Sequence, residues 1–336
     1  MNAARSRRWA LPVLAAIAVA ACGARTALLE TDRRSQGAGL PDAPCGAAPW
    51  LLFDVATETD SRTSTIYAMR ADGSSLHAVS LPHGPALYPS VSPDGSKLLY
   101  ATFMPPVVDG GVDSALYLYD FATATASLVL TTTILTYSAL SPDGTTVAYT
   151  TGYDLHDVSP DGTNDRTLLS GPSNGTGFGH PTFAADSRTI VYGTGGVVGA
   201  IGVDGSGNET LVNADPGALY YPNVAFSPDY TQLVMGGFCD ETASDVLVVF
   251  SYASLPAAPC QSGRVLTAVT FGSGSSSGND PSWGPNGVIA YGSGPDVYFI
   301  PASGGQPVNM TSGLTGDSGT ITASDPVWAP GCATIP

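Results

Sequence analysis

The chain has 336 residues, 40 of them Gly and 27 Pro, with only 12% charged residues. That mix disfavours a helical protein, because helices favour Glu, Lys and Arg while Gly, Pro and Asp favour turns. Hydrophobic residues at 43% exclude a disordered chain, and a net charge of −16 with Lys97 as the sole lysine excludes a nucleic-acid partner.

In chain order, residues 1–8 carry Arg5, Arg7 and Arg8 and no acid. Residues 9–21 (WALPVLAAIAVAA) are apolar, and Cys22 follows. A basic segment, a short apolar run and small residues make a secretory signal, too short to span a bilayer that needs about 20 residues. Val19-Ala20-Ala21-Cys22 resembles the lipobox of bacterial lipoproteins. That resemblance implies that residues 1–21 are a signal peptide, that Cys22 is acylated, and, with Gly23 next, that the outer membrane is the destination. Processing removes three arginines and no acid, so the charge moves from −16 to −19. Residues 22–44 show no sustained period and read as a flexible lipidated tether.

The rest of the chain repeats. Ser-Pro-Asp-Gly stands at 92–95 and 141–144, with degenerate copies at 184–187, 227–230 and 284–287; a further copy at 159–162 belongs to a third-to-fourth strand turn and marks no extra blade. Intervals of 49, 43, 43 and 57 residues suit a four-stranded propeller blade. Proline presets φ in the turn, and the fourth position takes the left-handed conformation that glycine tolerates. Each turn joins a first strand to a β-rich second strand such as Lys97–Thr102. A third strand follows, such as Ala115–Phe121 or Asp296–Pro301, and often leads through an Asp-Gly turn into a polar fourth. Asp325–Gly331 matches a first strand with nothing after it but five residues. Trp50–Val55 and Ile66–Arg70 look like second and third strands with no first strand before them. The expectation is an all-β, six-bladed propeller over residues 45–336, its N-terminal blade completed by the C-terminal strand. Closure of that kind removes exposed sheet edges.

The pattern x-Pro-x-x-Ser-Pro-Asp-Gly, a β-run ending in Tyr, then Ile66–Gly73, resembles the TolB-type propeller repeat. The resemblance covers about residues 45–332 and implies the fold. TolB itself carries an N-terminal α/β domain, for which this chain has only the tether, so the Tol–Pal role is not carried over.

Five cysteines are present. With Cys22 acylated, four remain, an even number in an exported chain. Cys45 and Cys332 fall where the repeat is cut and would suture the ends. Cys239 and Cys260 are left as the second pair.

No catalytic constellation emerges from the four histidines, and no Gly-x-Ser-x-Gly or His-Glu-x-x-His motif is present. The Asp-rich loops 109–113 and 204–209 read as hairpin turns rather than Ca²⁺ sites, and no cofactor is expected. One column does stand out. The residue four or five places before each turn is Tyr88, Tyr137, His180, Tyr221, Asp280 and Asp325. In a propeller these would ring one mouth of the central channel and offer a surface for a peptide, sugar or cation. The leading expectation is a monomeric, lipid-anchored, non-enzymatic scaffold that binds a protein or glycan at that mouth. Two alternatives stand beside it. One is a propeller hydrolase or lactonase with a channel metal on Asp280, Asp325 and His180. The other is a structural partner in a Tol–Pal-like envelope complex.

Overall fold

The structure is a computed structural model. It describes residues 48–57, 64–104, 113–133, 135–171, 177–213, 222–239, 244–255, 264–269, 280–312, 314, 321–331 and 333–336. Every regular element among them is a β-strand, and the strands form six four-stranded antiparallel sheets.

Blade one holds β1 (Trp50–Thr57), β2 (Thr65–Arg70) and β3 (His77–Ala78). Blade two holds β4 (Ala86–Val91), β5 (Lys97–Phe103), β6 (Asp113–Asp120) and β7 (Thr125–Thr133). Blade three holds β8 (Leu135–Leu140), β9 (Val147–Thr151), β10 (Asp154–Val158) and β11 (Arg166–Leu169). Blade four holds β12 (Thr182–Phe183), β13 (Thr189–Thr194), β14 (Val197–Gly202) and β15 (Glu209–Asn213). Blade five holds β16 (Asn223–Phe226), β17 (Gln232–Cys239), β18 (Ser244–Ser251) and β19 (Arg264–Val269). Blade six holds β20 (Ser282–Trp283), β21 (Val288–Ser293), β22 (Asp296–Pro301) and β23 (Val308–Asn309). The last strand, β24 (Ile321–Ala329), pairs with β1 and completes blade one, in the order β24-β1-β2-β3. The register runs from Trp50 opposite Ala329 to Thr57 opposite Ile321.

The expected six blades and their closure are therefore present. The polar fourth strand of blade one is short: only His77–Ala78 pair with β2.

The packing explains the apolar strand sequences. Six hydrophobic clusters are found, each between two neighbouring blades. Strand side chains alternate between faces. In β5, Leu98 and Tyr100 therefore pack toward blade one, while Leu99 and Ala101 pack toward blade three. In β1, Leu51 and Phe53 pack toward blade six, and Trp50 and Leu52 toward blade two. Both faces of the inner strands are buried, so they read as continuous apolar runs.

Ser-Pro-Asp-Gly is held by its own side chains. In blade two, Ser92 Oγ donates to Asp94 Oδ1 (2.6 Å), and the backbone N–H of Ser96 donates to the same oxygen (3.0 Å). The Lys97 N–H donates back to Ser92 Oγ (2.9 Å). Gly95 sits at φ 72°. Two of the degenerate copies keep the conformation without glycine: Ser187 and Tyr230 both take φ 58°.

The C-terminal end is bonded into blade one. Trp50 Nε1 donates to the Ala333 carbonyl (3.0 Å), and the Ser80 N–H donates to the Pro336 carbonyl (3.3 Å). The Arg70 guanidinium lies 3.7 Å over the Trp50 ring. The seam is thus closed by noncovalent contacts among the described residues. Cys22, Cys45, Cys260 and Cys332 lie outside those residues. Cys239 ends β17 with its side chain outside them as well.

Candidate functional site

The first strands β24, β4, β8, β12, β16 and β20 surround a central cavity of about 310 Å³. At one end it is lined by the turn prolines Pro93, Pro142, Pro228, Pro285 and Pro330. Pro93 and Pro228 are exposed, so this is an open mouth. Its walls include Phe183, Phe226, Trp283 and Trp328. At the opposite end stand His180, Asp280 and Asp325.

A repeated backbone device helps to place these side chains. Along β4 the pairing steps from Leu87 to Ser90 while β5 steps from Ala101 to Leu99, so β4 carries one extra residue. The same bulge recurs in β24 between Ser324 and Val327, opposite Asp54 and Leu52, and in β8 between Leu135 and Ser138. A bulge re-aims the inserted side chain. The inserted segments contain Tyr88-Pro89, Asp325-Pro326 and Tyr137. Tyr88 and Asp325 adopt φ 53° and 50°, a left-handed conformation unfavourable for a non-glycine residue. In blades four and six the first strand begins only after Pro181 and Pro281, which leaves His180 and Asp280 just ahead of it.

Five members of the sequence column lie in the described residues: three are linked by ring contacts, and the two aspartates pair with each other. The Tyr88 and Tyr137 rings are 5.3 Å apart, and Tyr137 and His180 are 4.9 Å apart. The His180 N–H donates to Asn223 Oδ1 of blade five (2.9 Å). Asp280 and Asp325 interact with each other, and Asp325 also acts on His180 from the facing side of the ring. Tyr221 lies outside the described residues. The column is buried rather than displayed: Tyr137, Asp280 and Asp325 are 2%, 7% and 5% exposed.

One member escaped the sequence reading. Asp54, on β1, is 5% exposed and stands beside Asp325. The Ser324 hydroxyl approaches both of its carboxylate oxygens at 3.4 Å. The available signal was a carboxylate inside the apolar run LLFDVAT. The repeat column could not show it, because Asp54 belongs to a second strand.

The electrostatics follow from burial. Desolvation, and then the neighbouring Asp325 charge, push the Asp54 carboxyl well above the usual carboxylate range. Asp280 rises for the same two reasons in the same order. Burial and the neighbouring carboxylate thus disfavour ionisation of Asp54 and Asp280. Burial lowers His180, against the pull of Asp325, and so favours the neutral imidazole. Asp280 Oδ1 and Asp325 Oδ1 are buried with no hydrogen-bond partner.

Among the described residues, no group of three His, Cys, Asp or Glu side chains is placed to hold a metal ion. The expected Asp-Gly turn at 204–209 is a turn: Asp204 Oδ1 accepts from the Ser206 N–H (2.9 Å) and hydroxyl (2.6 Å). Loop residues 109–112 lie outside the described residues.

No protein-family model matches the chain, and no curated protein matches it in sequence. Its fold does match solved structures. TolB from Acinetobacter baumannii is 16% identical with a TM-score of 0.65, over 91% of this chain and 72% of that one. A putative TolB from Agrobacterium tumefaciens is 15% identical at 0.51, over 84% and 99%. A chain of a nidogen/laminin complex is 11% identical at 0.57, over 83% and 98%. Identities this low speak for fold. In architecture, the chain is a six-bladed β-propeller similar in fold to these TolB structures.

Proposed function

We propose that this protein is an exported, lipid-anchored binding module whose central channel holds part of a protein or glycan partner. The observation that carries this is the channel itself. It is a cavity of about 310 Å³ with an open proline mouth, apolar walls, and buried polar side chains contributed by different blades at its far end. Cavities of this size and lining bind small molecules or single protruding groups. The propeller supplies rigidity, and the strained bulges preset the side chains before a ligand arrives.

The N-terminal segment supports the envelope assignment. Residues 1–21 would be removed, Cys22 acylated, and residues 22–44 would tether the domain 45–336 to the outer membrane as a monomer. No nucleic acid is expected to bind an acidic mature chain, and no cofactor is needed for this role. A crosslinking pull-down from cell envelope tests the proposal. The wild-type chain should capture a partner that an Asp280→Asn, Asp325→Asn double variant loses. Turnover of a substrate that disappears in the same variant would replace binding with catalysis.

A further inference from the structure

The far end of the channel is short of positive charge. Three carboxyls, Asp54, Asp280 and Asp325, meet there, and no Lys or Arg among the described residues lines the cavity. Arg70 lies on Trp50, Lys97 pairs with Asp120 (2.7 Å), and Arg166 pairs with Asp157 (2.7 Å). Buried charges ordinarily have a partner, and buried polar atoms ordinarily have hydrogen bonds. Asp280 Oδ1 and Asp325 Oδ1 accept from no N–H or hydroxyl group, their polar neighbours being carboxyls, although both residues are more than nine-tenths buried and line the cavity.

The shape of the site says which kind of cation completes it. A bare metal ion needs several converging oxygens, and no suitable group of ligands exists among the described residues. An alkylammonium needs only a few acceptors for its three N–H donors, together with apolar surface for its stem. The cavity offers both. Its two unpartnered oxygens lie at one end, and Phe183, Phe226, Trp283 and Trp328 line the walls toward the open mouth.

We infer that the channel is a binding site for an aliphatic primary ammonium, whose stem lies along the aromatic walls and whose head group caps Asp280 and Asp325. This rests on reading the channel as a binding site and names its ligand class. Of the titratable groups, Asp325 on β24, Asp280 ahead of β20 and His180 ahead of β12 line the cavity, and Asp54 on β1, Tyr137 on β8 and Tyr88 on β4 adjoin them. An arriving ammonium favours the ionised forms of Asp54 and Asp280, whose protons burial otherwise retains, so binding releases protons and tightens as pH rises, until the amine itself deprotonates.

Isothermal titration calorimetry of the processed full-length chain tests this with n-pentylamine, Nα-acetyl-lysine amide, pentan-1-ol and CaCl₂. Pentylamine or the lysine amide should bind at one per chain, and the tighter of the two identifies a free amine or a protein side chain as the source. The observed heat should depend on the ionisation heat of the buffer, which reports proton release in the wild type without any variant. Asp325→Asn and Asp280→Asn should each weaken binding about ten- to a hundredfold, the range for losing a hydrogen bond to a charged group. The inference is overturned if neither amine binds, if pentanol binds as well as pentylamine, or if Ca²⁺ binds and displaces the amine. An envelope pull-down run in parallel separates the two levels. Partner capture without amine binding overturns the ligand class alone, and loss of both overturns the channel as a binding site.

Discussion

Closure of the ring by β24 gives a quantitative prediction at Trp328. Its indole is 7% exposed and lies in the cluster between blades six and one, 4.9 Å from Phe299. Its Nε1 donates to the Ser282 carbonyl (3.1 Å), and its backbone N–H donates to Ser282 Oγ (3.2 Å). Trp328→Ala removes the ring and leaves that carbonyl without its indole donor. Emptying an aromatic core site costs about 3–5 kcal/mol, and the lost hydrogen bond about 1 kcal/mol more. Unfolding entropy of about 2 cal/mol/K per residue over a propeller of this length gives roughly 0.6 kcal/mol per degree. The expected fall in Tm by differential scanning calorimetry is therefore about 7–10 °C, within a single transition. Tyr153→Ala, at a side chain 59% exposed, is the control and should shift Tm by no more than about 1 °C. A Trp328→Ala shift below about 2 °C, or a separate early transition for one blade, would refute the argument that β24 closes one cooperative ring.

Three further outcomes follow from the same geometry. Asp54→Asn should stabilise the protein by about 1–3 kcal/mol at pH 7, because a buried carboxyl beside another costs stability when ionised. Its folded pKa is raised, so wild-type stability falls as pH climbs from the ordinary carboxylate range through the folded pKa. Denaturant titrations should show the gap between variant and wild type smallest at low pH and widest above that window, and a variant less stable at both ends would contradict the reasoning. Asp143 behaves oppositely: the Ser141 hydroxyl lowers its pKa. It is solvent-exposed, so Asp143→Asn should cost less than about 1 kcal/mol at pH 7, a cost that vanishes as pH falls through the folded pKa. Gly284 has the Trp328 ring against it, and an added Cβ would come within 2.7 Å of the indole. Gly284→Ala should therefore cost about 1–3 kcal/mol, and an unchanged urea midpoint would show that the ring yields freely.

Much of the architecture was legible because it repeats. The Ser-Pro-Asp-Gly turns mark the step from first to second strand, and a lone first strand at one end of the chain answers a missing one at the other. The site was legible only in part. The column from Tyr88 to Asp325 is visible because each blade places a residue at the same offset before its turn. Asp54 was not, because its partner is reached through ring closure and not through sequence spacing: it stands opposite Ser324, 270 residues away. The bulges were hidden for another reason. Tyr-Pro and Asp-Pro announce a strand start, but nothing in the dipeptide says that one strand carries an extra residue. The burial of the column was not readable either, since a residue at a strand start can face solvent or a neighbouring blade, and only the ring decides.

The central claim is that a partner enters the channel through the proline mouth. Site-specific photocrosslinking in envelope tests it directly, with a benzophenone amino acid placed either at Pro228 on the rim or at Leu128, which is 50% exposed on the outer strand β7. The account predicts a crosslinked partner from position 228 that is lost on adding Asp280→Asn and Asp325→Asn, and none from position 128. Crosslinks from 128 alone, or from 228 undiminished by the two substitutions, would contradict it.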